Sequence, residues 1–348
     1  MLGRQYYMNK VRQPFAVLCV LFLMTTLLLA CGNSGEQPAK NNASNAAGNN
    51  TSATTVPSPE TSDKGTNETA ATTRSYTDYI GHTVEIPVNP KRVIYSGETY
   101  GDLLALGVQA VGYPLSMGEG QVFEDQLQGV EDVGFPINLE KTLELQPDLI
   151  IYAGTDEADF EQLSKIAPTI IFDTFAPLNE RMLDIGGILG KTTEAEAWLA
   201  KYKTSEDAMW EQLKAAGIKE GETASVFTYY PGDRLFVMAT TGLSQVLYGE
   251  NGFKPTPAIQ KVLDEGMGFQ EVSMEVLKEY AGDRIFILTP VADEAKQSTA
   301  TLLKSPIWKG LPAVKNGYVY TQDIMKTSSD ATTREWLLGE LPQLLNMK

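Results

Sequence analysis

Glu140 and Glu275 stand 135 residues apart, each inside the same phrase. The first copy reads Asn138-Leu139-Glu140-Lys141-Thr142-Leu143-Glu144-Leu145-Gln146-Pro147-Asp148-Leu149-Ile150. The second reads Ser273-Met274-Glu275-Val276-Leu277-Lys278-Glu279-Tyr280-Ala281-Gly282-Asp283-Arg284-Ile285. In this register Glu144 falls on Glu279, Asp148 on Asp283 and Ile150 on Ile285. Each copy opens on a helix-capping residue, Asn138 or Ser273. Each has Pro147 or Gly282 as a breaker before the acidic residue and the strand that follows. The helix dipole favours a glutamate in a first turn, which accounts for Glu140 and Glu275 singly. It does not account for the whole phrase occurring twice. Duplication of a lobe does, and it puts one early-helix carboxylate at an equivalent point of each lobe.

The remaining reactive side chains are few. There is one histidine, His82, in a stretch (Tyr79-Ile80-Gly81-His82-Thr83) that reads as a hairpin or strand start. Zinc and manganese sites draw on His and Cys clusters, and a serine triad needs a histidine base, so both are excluded. No Gly-x-Ser-x-Gly elbow and no metal-binding His motif occurs. Paired carboxylates signal little in so acidic a chain: the whole sequence carries a formal charge of −16. That balance repels nucleic acid and anionic lipid.

The elements that must position these residues begin after a leader. Arg4, Lys10 and Arg12 precede an uncharged run from Pro14 to Ala30, and Cys31 follows in the order Leu28-Leu29-Ala30-Cys31-Gly32. A basic start, an apolar core and a small-residue cleavage site are the grammar of an export signal. The cysteine resembles the lipobox of bacterial lipoproteins, which implies removal of residues 1–30 and a diacylglycerol on Cys31. Two acyl chains anchor stably where one does not. Cys19 leaves with the leader, so the mature domain has no disulfide, and 25 basic residues face 44 acidic ones. Residues 31–75 are rich in Asn, Thr, Ser, Ala, Gly and Pro, with Val56 the only large aliphatic residue up to Arg74. Such a composition cannot offset the entropy of ordering and predicts a flexible leash of about 35–40 Å root-mean-square span.

The folded part is expected to start near Tyr76. Val84–Ile86 and Arg92–Tyr95 read as strands, Tyr100–Leu106 as a helix ended by Gly107, and Val108–Gly112 as another strand. Leu149–Tyr152 and Thr169–Phe172 are short β-rich runs separated by helical stretches, which gives an α/β lobe over 76–178. Residues 179–216 read as one long helix, bent near Gly186, Gly187 and Gly190, with a capping box at Thr193–Glu196 and an end at Gly217. Ser225–Thr228, Leu235–Met238, Ile285–Leu288 and Tyr318–Tyr320 supply the strands of a second lobe over 217–348. The predicted fold is two α/β lobes joined by a single long helix, with a ligand cleft between them.

At this point the chain resembles the iron-siderophore and cobalamin substrate-binding lipoproteins of ABC importers. The resemblance rests on the order and spacing of Pro90-Lys91-Arg92-Val93, Leu103–Val108, Asp132-Val133-Gly134, Asn138-Leu139-Glu140, Pro147–Ile151, Ile166–Thr169, Ile185-Gly186 through Leu189-Gly190-Lys191, Ser273-Met274-Glu275 and Ala313–Val319. It implies a rigid long helix that limits lobe motion. It also implies that Glu140 and Glu275 pair with arginines of the membrane permease, where two separated carboxylates fix orientation and speed docking. The implied partners are that permease with its ATPase, a ferric siderophore and the membrane through the lipid. A monomer is expected, at the outer face of a cell membrane and by preference a Gram-positive one, with no cofactor, no protein ligand to metal and no enzymatic activity.

Cleft residues belong on loops after strands. The candidates are Ser96, Thr99 and Tyr100 in the first lobe, and Tyr229, Tyr230, Arg234, Tyr248, Arg334 and Trp336 in the second. Rings cover the apolar rim of a ferric siderophore, and guanidinium groups bond its metal-bound oxygens. Arg92 and Arg284, at strand starts, are assigned structural roles, and Arg181 is open to either. Catecholate complexes are strongly anionic and want clustered basic residues, whereas neutral or weakly cationic ferric hydroxamates suit this acidic chain and are favoured. Ferric citrate and cobalamin stay open, and haem fits less well. The rivals are a lipid-anchored extracellular hydrolase and a structural surface lipoprotein, neither of which requires the duplicated phrase.

Overall fold

Continuous apolar runs such as Val93-Ile94-Tyr95, Leu149-Ile150-Ile151 and Ile285-Phe286-Ile287-Leu288 are buried along their whole length. A strand covered on both faces must read this way, and parallel sheets place strands there. The computed structural model describes residues 72–346. The leader, Cys31 and the linker through residue 71 lie outside the described residues.

The described chain opens with an antiparallel hairpin, β1 (Thr73–Thr77) and β2 (Thr83–Pro87). The first described strand starts at Thr73, a few residues ahead of Tyr76, and the hairpin is pinned to the lobe from that strand. The Arg74 Nη2 donates to the Gly187 carbonyl at 2.5 Å, and the Tyr76 hydroxyl donates to Asp184 at 2.8 Å. His82 sits at the turn, stacked on Phe160, with its ring nitrogens 3.1 Å from Asp78 and 3.2 Å from Glu157.

The first lobe follows as β3 (Val93–Ser96), α1 (Gly101–Ala105), β4 (Gly112–Tyr113), β5 (Glu131–Asp132), α2 (Leu139–Glu144), β6 (Leu149–Tyr152), α3 (Glu157–Leu163) and β7 (Thr169–Ile171). Its strands run parallel in the order β5-β4-β3-β6-β7. The strand expected over 108–112 is reduced to Gly112–Tyr113. Residues just before it close the preceding helix instead: Gly107 turns at φ +70° and the Val108 amide bonds back to the Leu103 carbonyl.

Two helices, α4 (Leu178–Ile188) and α5 (Thr192–Ala215), replace the single helix expected over 179–216. Gly190 breaks the run at φ +68°, where an added Cβ would lie 2.7 Å from the Val88 carbonyl oxygen. The long connecting helix is α5, of 24 residues. Thr193 therefore lies inside it and caps nothing; Lys191 holds the cap position and pairs with Glu194 at 2.7 Å.

The second lobe comprises β8 (Thr223–Tyr230), β9 (Arg234–Met238), α6 (Leu243–Leu247), β10 (Lys254–Pro255), α7 (Pro257–Asp264), β11 (Phe269–Glu271), α8 (Leu277–Tyr280), β12 (Arg284–Thr289), α9 (Asp293–Lys304), α10 (Pro306–Gly310), α11 (Pro312–Lys315), β13 (Val319–Asp323) and α12 (Ala331–Asn346). Its strand order is β11-β9-β8-β12-β13, with β10 beside the start of β8. The two orders correspond strand for strand, although β9 is antiparallel where β4 is parallel.

The duplicated phrase has a structural reason in its last acid. Asp148 accepts from the Lys91 and Arg92 amides at 2.7 and 2.9 Å. Asp283 accepts from the Thr223 amide and hydroxyl at 2.9 and 2.8 Å. Each carboxylate latches the entry of the lobe's central strand to the strand beside it. The capping residues do not correspond so closely. Asn138 caps α2 by accepting from the Lys141 amide at 3.0 Å. Ser273 is not a cap: a turn intervenes, α8 starts only at Leu277, and Ser273 bonds the Glu275 side chain.

Candidate functional site

In each sheet the chain leaves the central strand to one side and returns on the other. From β3 it passes to β4 and later to β6; from β8 it passes to β9 and later to β12. Open α/β sheets bind ligands at such switch points, outside the carboxyl ends of the strands. The loops there are Ser96–Tyr100 and Ala153–Asp156 in the first lobe, and Pro231–Asp233 and Pro290–Ala292 in the second. The Gly232 amide donates to Glu294 at 3.0 Å and ties the last two together.

The first-lobe candidates lie deeper than expected. Ser96, Thr99 and Tyr100 are all buried. Thr99 bonds the Tyr95 hydroxyl at 2.6 Å, and the Tyr100 ring packs 4.4 Å from that of Tyr113 while its hydroxyl accepts from the Ala110 amide. The exposed side chain of this loop is Glu98, held by the Thr174 hydroxyl at 3.1 Å. It falls within the 96–100 segment expected at the cleft but was not among the residues named there, and its one signal was its place two residues after the first strand of the lobe.

In the second lobe Tyr229 and Tyr230 belong to β8 itself, so alternation sends them to opposite faces. Tyr229 is buried beside Met274, and Tyr230 stays part-exposed, edge-on to Phe236 at 5.3 Å. The Arg234 guanidinium lies 5.4 Å over the same Phe236 ring, and its Nε donates to the Pro231 carbonyl. Tyr230 and Arg234 thus form one surface at the hairpin. Tyr248 is internal: its hydroxyl donates to the Ala224 carbonyl at 3.0 Å, and burial raises its pKa. Arg334 is internal as well. It donates to the Tyr202 hydroxyl at 3.1 Å and to Gln245 at 2.5 Å, tying α12 to α5 and α6. Burial pushes that tyrosine up to about 12. Trp336, half-buried and inside α12, lines a recess of about 270 Å³ that the lobes share. Gly120–Val122, Glu124 and Asp125 come to it from the first lobe, and Lys326 from the segment after β13.

Arg92 and Arg284 take the structural roles assigned to them. Arg92 donates to the Leu145 and Gln146 carbonyls beyond α2, and Arg284 pairs with Glu222 at 2.6 Å. Arg181 is structural too. Fully buried, it pairs with Asp102 at 2.6 Å and donates to the carbonyls of Ala176 and Ser329 at 3.0 and 2.6 Å. It anchors a strap, residues 328–332, to the first lobe. In the same strap Ser328 donates to Gln121, the Ala331 amide to Asp102 and Thr332 to the Gly101 carbonyl, at 2.6, 2.8 and 2.8 Å.

Glu140 and Glu275 are both exposed, each following an edge strand, β5 or β11, at the carboxyl rim of its sheet. The Ser273 hydrogen bond lowers the Glu275 pKa. Among the described residues, the exposed or part-exposed charges on these loops, at the hairpin and around the recess are the cations Arg234 and Lys326 against the acids Glu98, Glu124, Asp125, Asp156 and Asp233.

Paired α/β lobes joined by a long helix define a two-lobed substrate-binding protein. Residues 93–323 match the family model described as Periplasmic binding protein, and the chain belongs to that family. It is 30% identical over 307 residues to the iron(3+)-hydroxamate-binding protein FhuD of Bacillus subtilis, covering 86% of this chain and 87% of that one. Among solved structures it is similar to Staphylococcus aureus SirA complexed with staphyloferrin B, at TM-score 0.69 and 29% identity over 79% of this chain and 99% of that one. It is also similar to Staphylococcus aureus FhuD2 with bound ferrioxamine B, at TM-score 0.64 and 27% identity over 73% and 98%. The family is one of binding proteins rather than of enzymes.

Proposed function

We propose that this chain captures a ferric siderophore, by preference a hydroxamate, in the interlobe cleft and delivers it to the permease of an ABC importer. The observation that carries the reading is the chemistry of the cleft rim. Tyr230 and Trp336 offer rings to an apolar ligand edge, and Arg234 offers a fork to metal-bound oxygens. The acids around them outnumber the cations, which disfavours a strongly anionic catecholate and suits a neutral or cationic hydroxamate complex. The iron(3+)-hydroxamate-binding relatives support the same ligand class, whereas SirA is complexed with staphyloferrin B. The iron arrives chelated, so the protein contributes shape, rings and charge rather than metal ligands.

Glu140 and Glu275 are the docking carboxylates in this reading. Exposed on the same rim of each lobe, they meet two basic patches on the permease and orient the cleft over its entrance. A diacylglycerol on Cys31 would hold the domain at the outer face of the membrane, within reach of that entrance. Titrating the protein with ferric hydroxamates, ferric catecholates, ferric citrate and cobalamin, followed by tryptophan fluorescence, tests the ligand. Selective quenching by the hydroxamates and not by their iron-free forms is expected. Quenching by catecholates alone would overturn the charge argument. A Glu140→Ala/Glu275→Ala variant should still bind ligand and lose uptake; full uptake would sink the docking assignment.

A further inference from the structure

Two large apolar side chains flank Glu140 in the open. Leu143 is 60% exposed and Phe135 is 50% exposed. Leu143 stands one turn from Glu140 on α2, at the i,i+3 spacing that makes helix neighbours. The inner side of that helix is already occupied by Thr142, which is fully buried, and by Leu139, packed against the small cluster of Ile94, Val133 and Ile150. Nothing in the core requires Leu143. Phe135 lies in the loop that leads from β5 into the same helix. Around the pair, Glu131, Glu140 and Glu144 are exposed, and the local cation, Lys141, is engaged with Asp132 at 3.3 Å. The segment sets two exposed apolar side chains among exposed acids, a composition that complements a surface that is apolar and basic.

A single exposed leucine is ordinary. The duplicated lobe makes this one informative. At the constant offset, Glu140 becomes Glu275 but Leu143 becomes Lys278. Phe135 lies ahead of the repeated phrase, in the loop after β5. The aromatic in the second lobe's edge strand β11, Phe269, is 39% exposed and packs edge-on against Phe236 at 5.9 Å. The acid is kept on both lobes and the exposed helix leucine stands on one. Matched acids alone let a two-lobed protein dock in either of two orientations related by the duplication. A contact present on one side only discriminates between them.

We propose that Phe135 and Leu143 are an apolar anchor for the permease that fixes which lobe seats on which half of it; this rests on the docking role of Glu140 and Glu275. The test uses the full chain and the permease in nanodiscs, with the cleft empty and loaded with ferrioxamine B. A Phe135→Gln/Leu143→Lys variant, which removes the apolar pair and gives position 143 the lysine found at 278, is compared with Glu140→Ala/Glu275→Ala and with Ile307→Lys, a change at another exposed apolar side chain. Leu143→Gln alone serves if the double variant folds poorly. The anchor variants should lose roughly tenfold or more in permease affinity, as a central apolar contact does. Ile307→Lys should lose none. A Glu144→Cys crosslinker should reach one permease half in the parent and both halves in the anchor variant. Parent-like affinity and one-sided crosslinking in the anchor variants, with docking weakened in Glu140→Ala/Glu275→Ala, overturns the anchor and leaves the docking reading standing. Parent-like docking in the glutamate variant removes both.

Discussion

Arg181→Met would test how the lobes are held together. In the folded chain both Arg181 and Asp102 are fully buried and 2.6 Å apart. Without the guanidinium, the Asp102 carboxylate keeps only the Ala331 amide at 2.8 Å and lies beside a second buried acid, Asp330. The carbonyls of Ala176 and Ser329 lose their donor as well. Removing one partner of a buried pair costs about 3–5 kcal/mol, because the other charge is left without compensation. Against a typical total of about 5–15 kcal/mol, that is a large share. Urea unfolding, followed by tryptophan fluorescence and far-ultraviolet circular dichroism together, should show the midpoint fall by about 1–2 M at an unchanged slope. Asp102→Leu/Arg181→Met removes both charges and should recover more than half of the loss. A single variant within about 1 kcal/mol of the parent would refute the reasoning, and so would strictly additive losses in the double variant.

Asp330 gives a pH dependence. It is fully buried, its Oδ1 accepts from the Thr333 amide at 2.9 Å, and its Oδ2 has no partner among the described residues. Burial, with Asp102 nearby, pushes the carboxyl up to about 6. The folded chain therefore keeps a proton that the unfolded chain releases between about pH 4 and 6, so the contribution of this group is full below about pH 4 and is lost as pH rises through about 6. Asp330→Asn should gain about 2–3 kcal/mol over the parent at about pH 7.5 and almost nothing near pH 4; an equal difference at both pH values would remove titration as the cause. Trp336→Phe should abolish most of the fluorescence response to a ferric hydroxamate, and Trp336→Ala should weaken binding roughly tenfold. An undiminished response would move the ligand away from the recess that Trp336 lines.

The central strands were legible because burial on both faces leaves no freedom in composition: Leu149–Ile151 and Ile285–Leu288 could be little else. The duplicated phrase was legible because Asp148 and Asp283 each have the same strand entry to hold. The helix break was not. Gly186, Gly187 and Gly190 look alike in sequence, and only the third takes a positive φ, where it also lies close under the Val88 carbonyl. The cleft was read less well than the fold for a related reason. Tyr100, Tyr248 and Arg334 carry the same chemistry whether they face a ligand or the core, and their partners are set by tertiary packing. Arg334 finds Tyr202 and Gln245, 132 and 89 residues away. Glu98 was hidden differently, as one more acid in a chain that has 44.

The strap of residues 328–332 bears on how the importer could know that its cargo is aboard. With Ser328, Ser329, Ala331 and Thr332 all bonded across to the first lobe, a change of jaw angle on loading would have to break four hydrogen bonds. Under the proposed function, a carrier that keeps them would be told apart as loaded by the cargo itself or by the loops that touch it. Empty carriers would then compete for the same seat, and the rate of iron entry at a given siderophore concentration would fall when the cell makes more carrier than it can fill.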